Sequence, residues 1–489
     1  MLMSSGPGLR GTGQNRGKGS TAMRTIVFKG RLVIIGCGSI GQGILPLILR
    51  HIEIKPAQIT IITACERGRE VAAEYGIEFT NKALTKDDFR DRLTPMLRKG
   101  DFLLNLSVDV SSTALVELCR DLGVLYQDTC IEPWAGGYTD PSLSPSLRSN
   151  YALREEMLRL RVDAPVPTAL VTHGANPGLV SHFVKQALLN IAADTGLGAD
   201  VPKDRRGWGE LASRLGVKVI HVAERDTQQG TTPKGPDEFV NTWSIDGFVG
   251  EGCQPAELGW GTHEKELPPD GRRHDFGSDA AIYLMKPGAS QKVRTWTPVE
   301  GAFHGFLITH NESISIADYF TVKEQGRVTY RPTVHYAYHP CDAAVLSLHE
   351  LAGKNWTMPS RQRLMVKELV SGIDELGVLI AGHAKGAYWY GSQLSIAEAR
   401  ELAPHNSATS LQVTSTVLAG MIWALENPMM GIVEPDEIDF QRILEIARPY
   451  LGPVVGVYTD WTPLEGRGAL FAEDLDISDP WQFKNVRVV

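Results

Sequence analysis

The chain lacks any CxxC pair. Its six cysteines, Cys37, Cys65, Cys119, Cys130, Cys253 and Cys341, stand apart along 489 residues. A disulfide frame or a structural zinc site needs paired spacing, so these read as reduced, mostly buried thiols. An excess of basic residues is missing too. The 49 Lys and Arg against 57 Asp and Glu leave a net charge of −8, which argues against a nucleic-acid partner and is compatible with a cationic one. No apolar run approaches the length of a membrane span and no signal core is present, so a cytoplasmic protein without a membrane partner is expected. Residues 1–23, rich in Gly, Ser and basic residues, have almost nothing to bury and read as a disordered extension.

What is present is strand and helix in alternation. RLVIIG leads into SIGQGILPLILRH, ITIIT into ERGREVAAEYG, and DFLLNLS into SSTALVELCRDLG and VLYQDT. Short apolar strands alternating with amphipathic helices describe an α/β fold, a Rossmann-type doubly wound parallel sheet over residues 24–160. Residues 161–489 change character. VKVIHVAE, DEFVNTWS, AIYLM, HGFLITH, VHYAY, LMVKELV, GVLIAG and YWYGSQL follow one another with few helices, which predicts a larger mixed α+β domain. The segment from GPVVGVYTDW onward has no core of its own and must pack on an earlier unit, the first domain being one candidate.

VIIGCGSIGQG holds Gly36, Gly38 and Gly41 between an apolar strand and a helix. In that setting the first glycine allows the tight turn, the second lets backbone approach a pyrophosphate, and the third permits close helix packing. The amides of Ser39 and Ile40 at the helix start then face the phosphates. The cofactor expected is NAD, with Ser107, Asp109 and Thr129 placed on the same site after later strands. Where an acid should hold the adenosine ribose, the chain offers Thr63. Glu66 just beyond could take over the acidic role, while Arg67 and Arg69 could instead welcome a phosphate and so leave NADP open.

THGANPGLVSH (from 172), HVAERDTQ (from 221), FVNTWSIDGFVGEGCQPAELGWG (from 239) and THNESISIADY (from 309) resemble the bacterial homospermidine synthases. So do HYAYHPC, SGIDELGVL, GPVVGVYTDWTPL and DPWQF, and the resemblance covers everything after the extension. That family is similar in plan to saccharopine dehydrogenase-like proteins, with a Rossmann domain followed by a substrate and dimerisation domain. The resemblance implies NAD-dependent joining of two putrescines into homospermidine with loss of ammonia, the hydride being lent to the cofactor and returned. It also implies a homodimer, with spermidine as a second candidate donor.

The residues suit that chemistry. Putrescine carries two ammonium groups with pKa values near 10.4, like lysine. Hydride leaves only from a carbon bearing a neutral nitrogen, so one end must lose a proton while the other stays charged and anchored. Trp243 is the candidate cation platform and a catalytic candidate. Glu224 and Glu251 border it in sequence, and Glu132 in CIEPW lies just past a parallel strand, where ligands bind. Asp374 in GIDELG could guide the incoming cation. Asn176 in GANPG could hydrogen-bond the nicotinamide or the reacting nitrogen, or simply cap a helix before Pro177. His310 is the leading proton-transfer residue, with Glu312 as partner. His335 and His339 have i, i+4 spacing but no third ligand, so no metal is expected. Two other readings remain open. One is a carboxynorspermidine-type reductase using NADPH, which would need arginines for a substrate carboxylate, and Arg225 adjoins Glu224. The other is a non-catalytic NAD-sensing scaffold.

Overall fold

A computed structural model describes residues 25–198 and 200–489, so the extension expected over 1–23 lies outside the described residues. The first unit is a parallel sheet of seven strands. Its order is Ile432–Val433, Ala169–Leu170, Leu125–Asp128, Phe102–Asn105, Leu32–Ile35, Ile59–Thr63, Glu78–Asn81. The central strands Leu32–Ile35 and Phe102–Asn105 read LVII and FLLN and are buried on both faces, as helices on either side of a parallel sheet require. The strand order reverses between Leu32–Ile35 and Phe102–Asn105, which opens a crevice at their carboxyl ends. Two of the seven strands come after residue 160, and Ile432–Val433 comes from far down the chain.

The second unit is built on an eleven-stranded mixed sheet whose centre runs Pro255–Gly259, Thr333–His339, Val219–Asp226, Ile373–His383, Gly386–Ser395, Val454–Thr459. Only the Thr333–His339 and Val219–Asp226 pair is parallel in this run. Two segments expected in this sheet lie outside it. Glu238–Asn241 pairs instead with Arg361–Leu364 in a small parallel ribbon, and the LMVKELV run breaks between Leu364 and Leu369. Helix Asp342–Gly353 covers this ribbon, Ser347 Oγ accepting from the Val240 amide, while Arg363 pairs with Glu238 and Glu368 across the break.

The end of the chain joins the mixed sheet and not the first domain. Val454–Thr459 pairs with Gly386–Ser395, and Arg487–Val488 pairs with Lys292–Thr297. Val454–Thr459 thereby takes an edge of the mixed sheet, while Ile432–Val433 and Glu78–Asn81 form the two edges of the parallel one.

Between the two sheets runs helix Ala408–Glu426. Its composition is apolar enough to cross a membrane, contrary to the reading that no run approaches that length, and 89% of its apolar window is buried inside the protein. Almost every face of it meets a neighbour: helix Ser39–His51, helix Phe440–Ala447 and strands from both sheets. Ile34 and Leu45 of the first unit, Val222 and Leu376 of the second and Val417 of this helix form one continuous apolar core. Arg154 ties the units further. It is fully buried, forks onto Glu434 at 2.7 and 2.8 Å, and reaches Asp318 at 2.9 Å.

Candidate active site

The glycine turn has the geometry its spacing predicts. Gly36 has φ +92°, and a Cβ there would sit 2.5 Å from the Leu106 carbonyl oxygen. A Cβ on Gly41 would sit 2.6 Å from the Gly36 oxygen. Gly38 differs from both, with nothing within 4 Å of its missing Cβ. It is also the N-cap of helix Ser39–His51, and no side chain caps that end. Open space over a bare helix start is what a pyrophosphate needs, and it fits a dinucleotide.

A cavity of about 140 Å³ lies beside this turn, at the carboxyl ends of the parallel strands. Its floor is Ile40 of the glycine helix, Leu106 and Ser107 after Phe102–Asn105, Thr129 and Cys130 after Leu125–Asp128, and Gly174–Pro177. The opposite wall comes from the second unit: Glu224, Trp243, Glu251, His310 and Tyr336. Thr409 and Val413 of the central helix close it. Three carboxyl groups (Glu132, Glu224, Glu251) line the cavity, and no lysine or arginine does so among the described residues.

Glu224 is buried on strand Val219–Asp226. Its Oε2 accepts from the Tyr336 hydroxyl at 2.5 Å and from Asn176 Nδ2 at 2.8 Å, so Oε1 takes part in neither bond. Burial pushes its pKa up to about 7; the two bonds and His310 restrain that rise, and Asp226 adds to it. Asn176 therefore acts here through Glu224. It does not cap the following helix, whose N-cap is Gly178. Arg225, next along the strand, points to the other face and spends its guanidinium on the Asp226 and Pro340 carbonyls and on Asp342.

His310 sits between two carboxylates, Nε2 3.1 Å from Glu251 and Nδ1 3.2 Å from Glu312. Burial alone would depress its pKa. The charges of Glu312 and Glu251 outweigh that and push it well above the usual histidine value, so it rests as an imidazolium. Tyr336 covers its ring at a centroid distance of 4.4 Å.

Trp243 is not on a strand. Strand Glu238–Asn241 ends before it, and Trp243 occupies the bend before helix Ile245–Cys253. The indole is half-buried, leans on Phe248 at 5.1 Å and donates to the Tyr338 hydroxyl at 2.9 Å. Tyr338 in turn stacks on Tyr336 at 5.2 Å. Glu132 accepts from the Asp109 amide at 3.3 Å; burial raises its pKa to about 8, with Glu251 adding to the rise.

Three expected residues stand elsewhere. Asp374 is fully buried beside Asp226 in the sheet, both its oxygens lack a partner among the described residues, and it does not line the cavity. Steering a cation from solvent is excluded by that burial. Asp109 also misses the cavity lining, and its backbone amide, held at φ +64°, is what reaches the site. Thr63 is buried at the end of its strand and does not line the cavity. His335 lies against buried His221 at 4.1 Å, away from the cavity, and no group of three potential metal ligands occurs among the described residues.

A family model described as the saccharopine dehydrogenase NADP binding domain matches residues 32–170, and one described as the saccharopine dehydrogenase C-terminal domain matches residues 174–458. The homospermidine synthase of Blastochloris viridis is 57% identical over 464 residues, covering 94% of this chain and 97% of that protein. The chain belongs to the homospermidine synthase family. The enzyme of Mesorhizobium japonicum is 56% identical over 469 residues, covering 94% and 96%. A crystal structure of the Legionella pneumophila homospermidine synthase in complex with NAD matches with a TM-score of 0.90 and 52% identity, covering 95% of this chain and 99% of that one.

Reading the sequence alone misses Tyr336 and Tyr338, although a signal for them was present. In HYAYHP the strand period of two puts His335 and His339 on one face and the two tyrosines on the other. Thr409 and Val413 carry no such signal, because they reach the cavity only through the packing of the central helix.

Proposed function

We infer that this enzyme joins two putrescines into homospermidine with release of ammonia, and that it does so in the cavity between Trp243 and the glycine turn. The observation that carries this reading is a cavity with three carboxyl groups, one imidazolium and one indole face, set against an open phosphate cradle. NAD would be held by Gly36, Gly38, Ser39, Ile40 and Gly41, together with Ser107 and Thr129 of the cavity lining, and when bound it supplies the hydride acceptor that later returns the hydride. The family membership and the NAD held by the Legionella relative support that assignment.

The chain's own residues divide the proton work. Glu224, poised near neutrality, takes the proton from the reacting ammonium through Oε1. Asn176 and Tyr336 fix its other oxygen and so its aim. His310, resting protonated, gives a proton to the nitrogen that departs as ammonia, and Glu251 and Glu312 hold its ring in place. Trp243 lies under the cationic chain, where a desolvated ammonium gains about 2 kcal/mol. A substrate carboxylate would find three carboxyl groups and no arginine or lysine in the lining, among the described residues, which disfavours the carboxynorspermidine-type reaction.

Incubation with putrescine and sub-stoichiometric NAD, followed by assay of homospermidine and ammonia, tests this. Both products should accumulate in equal amounts, without lasting reduction of the nicotinamide. Bound NAD with neither product would overturn the synthase reading and favour the scaffold. Spermidine as an added donor and a homodimer in light scattering are expected of the same protein, as is a cytoplasmic location on cell fractionation.

A further inference from the structure

The position at the end of Ile59–Thr63 where dinucleotide folds usually place an acid holds Thr63, which is buried and uncharged. Its partner in the sheet is Asn81, and Lys82 donates its amide to the Thr63 carbonyl at 2.8 Å. Asn81 does not stop at the strand. Its Nδ2 donates to Glu66 Oε1 at 2.6 Å, which draws that carboxylate over the strand end. Arg69 grips the same carboxylate by two nitrogens, Nε on Oε2 and Nη2 on Oε1 at 3.1 Å, and lays its guanidinium on Phe79 at 4.6 Å. The loop that carries Glu66 returns onto the glycine turn. Gly68, at φ +86°, packs so closely on Cys37 that a Cβ would fall 2.3 Å from Sγ.

We propose that Glu66, held by Asn81 and Arg69, is the acid that accepts an adenosine ribose hydroxyl and rejects a 2′-phosphate, so that the chain selects NAD over NADP. The proposal rests on the cofactor reading given above and deepens it. It also bears on a real divergence, since the matching family model is described as NADP binding while the Legionella relative holds NAD. A carboxylate offers about four acceptor positions, and the bonds from Asn81 and Arg69 use three, which leaves one for a hydroxyl. The hydrogen bonds from Arg69 and Asn81 hold its pKa down at about 2, so the group is charged at any working pH. Arg69, the residue best suited to a phosphate, is meanwhile committed on its edge to Glu66 and on its face to Phe79. One side chain thus supplies the repulsion and withholds the attraction.

The test is calorimetric titration of the full chain with NAD and with NADP, repeated for Glu66→Gln, Arg69→Ala and the double variant, each checked by thermal melting. The wild type should bind NAD more tightly by about tenfold or more, because a phosphate dianion beside a fixed carboxylate is repelled even across water. Glu66→Gln should close most of that gap by gaining NADP affinity, and the gain should vanish in the double variant. Arg69→Ala alone should keep the preference for NAD. A ratio unmoved by Glu66→Gln overturns the proposal, as does a wild type without preference, and both leave the synthase reading standing. A wild type that binds neither dinucleotide overturns the cofactor reading itself.

Discussion

Removing the Tyr336 hydroxyl with Tyr336→Phe should move the pH at which the enzyme switches on. That hydroxyl donates to Glu224 Oε2 at 2.5 Å and favours the ionised carboxyl. A hydrogen bond to a charged acceptor contributes about 1.5–3 kcal/mol, and the protonated carboxyl keeps about 1 kcal/mol of it, which leaves a difference of about 0.5–2 kcal/mol. At 1.36 kcal/mol per pKa unit this is a shift of roughly one unit upward. Glu224 begins at about 7, so the acidic limb of kcat/KM for putrescine should move to about pH 8. At about pH 7 the ionised fraction drops from a half to about a tenth, a loss of roughly fivefold that is regained on the alkaline side. The assay is kcat/KM against pH for both proteins, with product read as homospermidine. An acidic limb that stays in place, or a uniform loss at every pH, would refute the assignment of Glu224 as the base tuned by Tyr336.

Gly38→Ala should fold normally, because φ is −73° and no atom lies near the new Cβ, yet lose about tenfold or more in NAD affinity as the methyl enters the phosphate cradle. Gly41→Ala should instead lose about 1–3 kcal/mol of stability in chemical denaturation, since its Cβ would press on the Gly36 carbonyl. Equal behaviour of the two would contradict the cradle. Arg154→Met should cost about 3–5 kcal/mol by the same measurement, because it strands the buried Glu434 and Asp318 carboxylates; a cost below about 1 kcal/mol would show that the apolar core alone joins the two units. Trp243→Ala should lose roughly thirtyfold in kcat/KM and Trp243→Phe much less. Tyr338→Phe, which removes only the indole's hydrogen-bond acceptor, separates ring position from cation–π attraction.

The sequence by itself determined the parallel sheet and the glycine turn. Both are local: LVII and FLLN can be buried only as central strands, and a GxGxxG between strand and helix has one geometry that spares its close contacts. The strings around Glu224, Trp243, Glu251 and His310 also identified the family and most of the cavity wall. Tertiary structure alone decided which groups hold a proton. Glu224 sits near neutrality because of burial and neighbours 48 and 112 residues away in the chain, Asn176 and Tyr336. His310 is held protonated by Glu312, two residues on, together with Glu251, which the fold brings from helix Ile245–Cys253 onto its second nitrogen. Asp374 looked like a guide for cations and proved to be sealed in the sheet, because strand pairing places it beside Asp226, away from solvent. Hydrophobic periodicity fixes which way a residue faces, whereas a pKa depends on everything that faces it back.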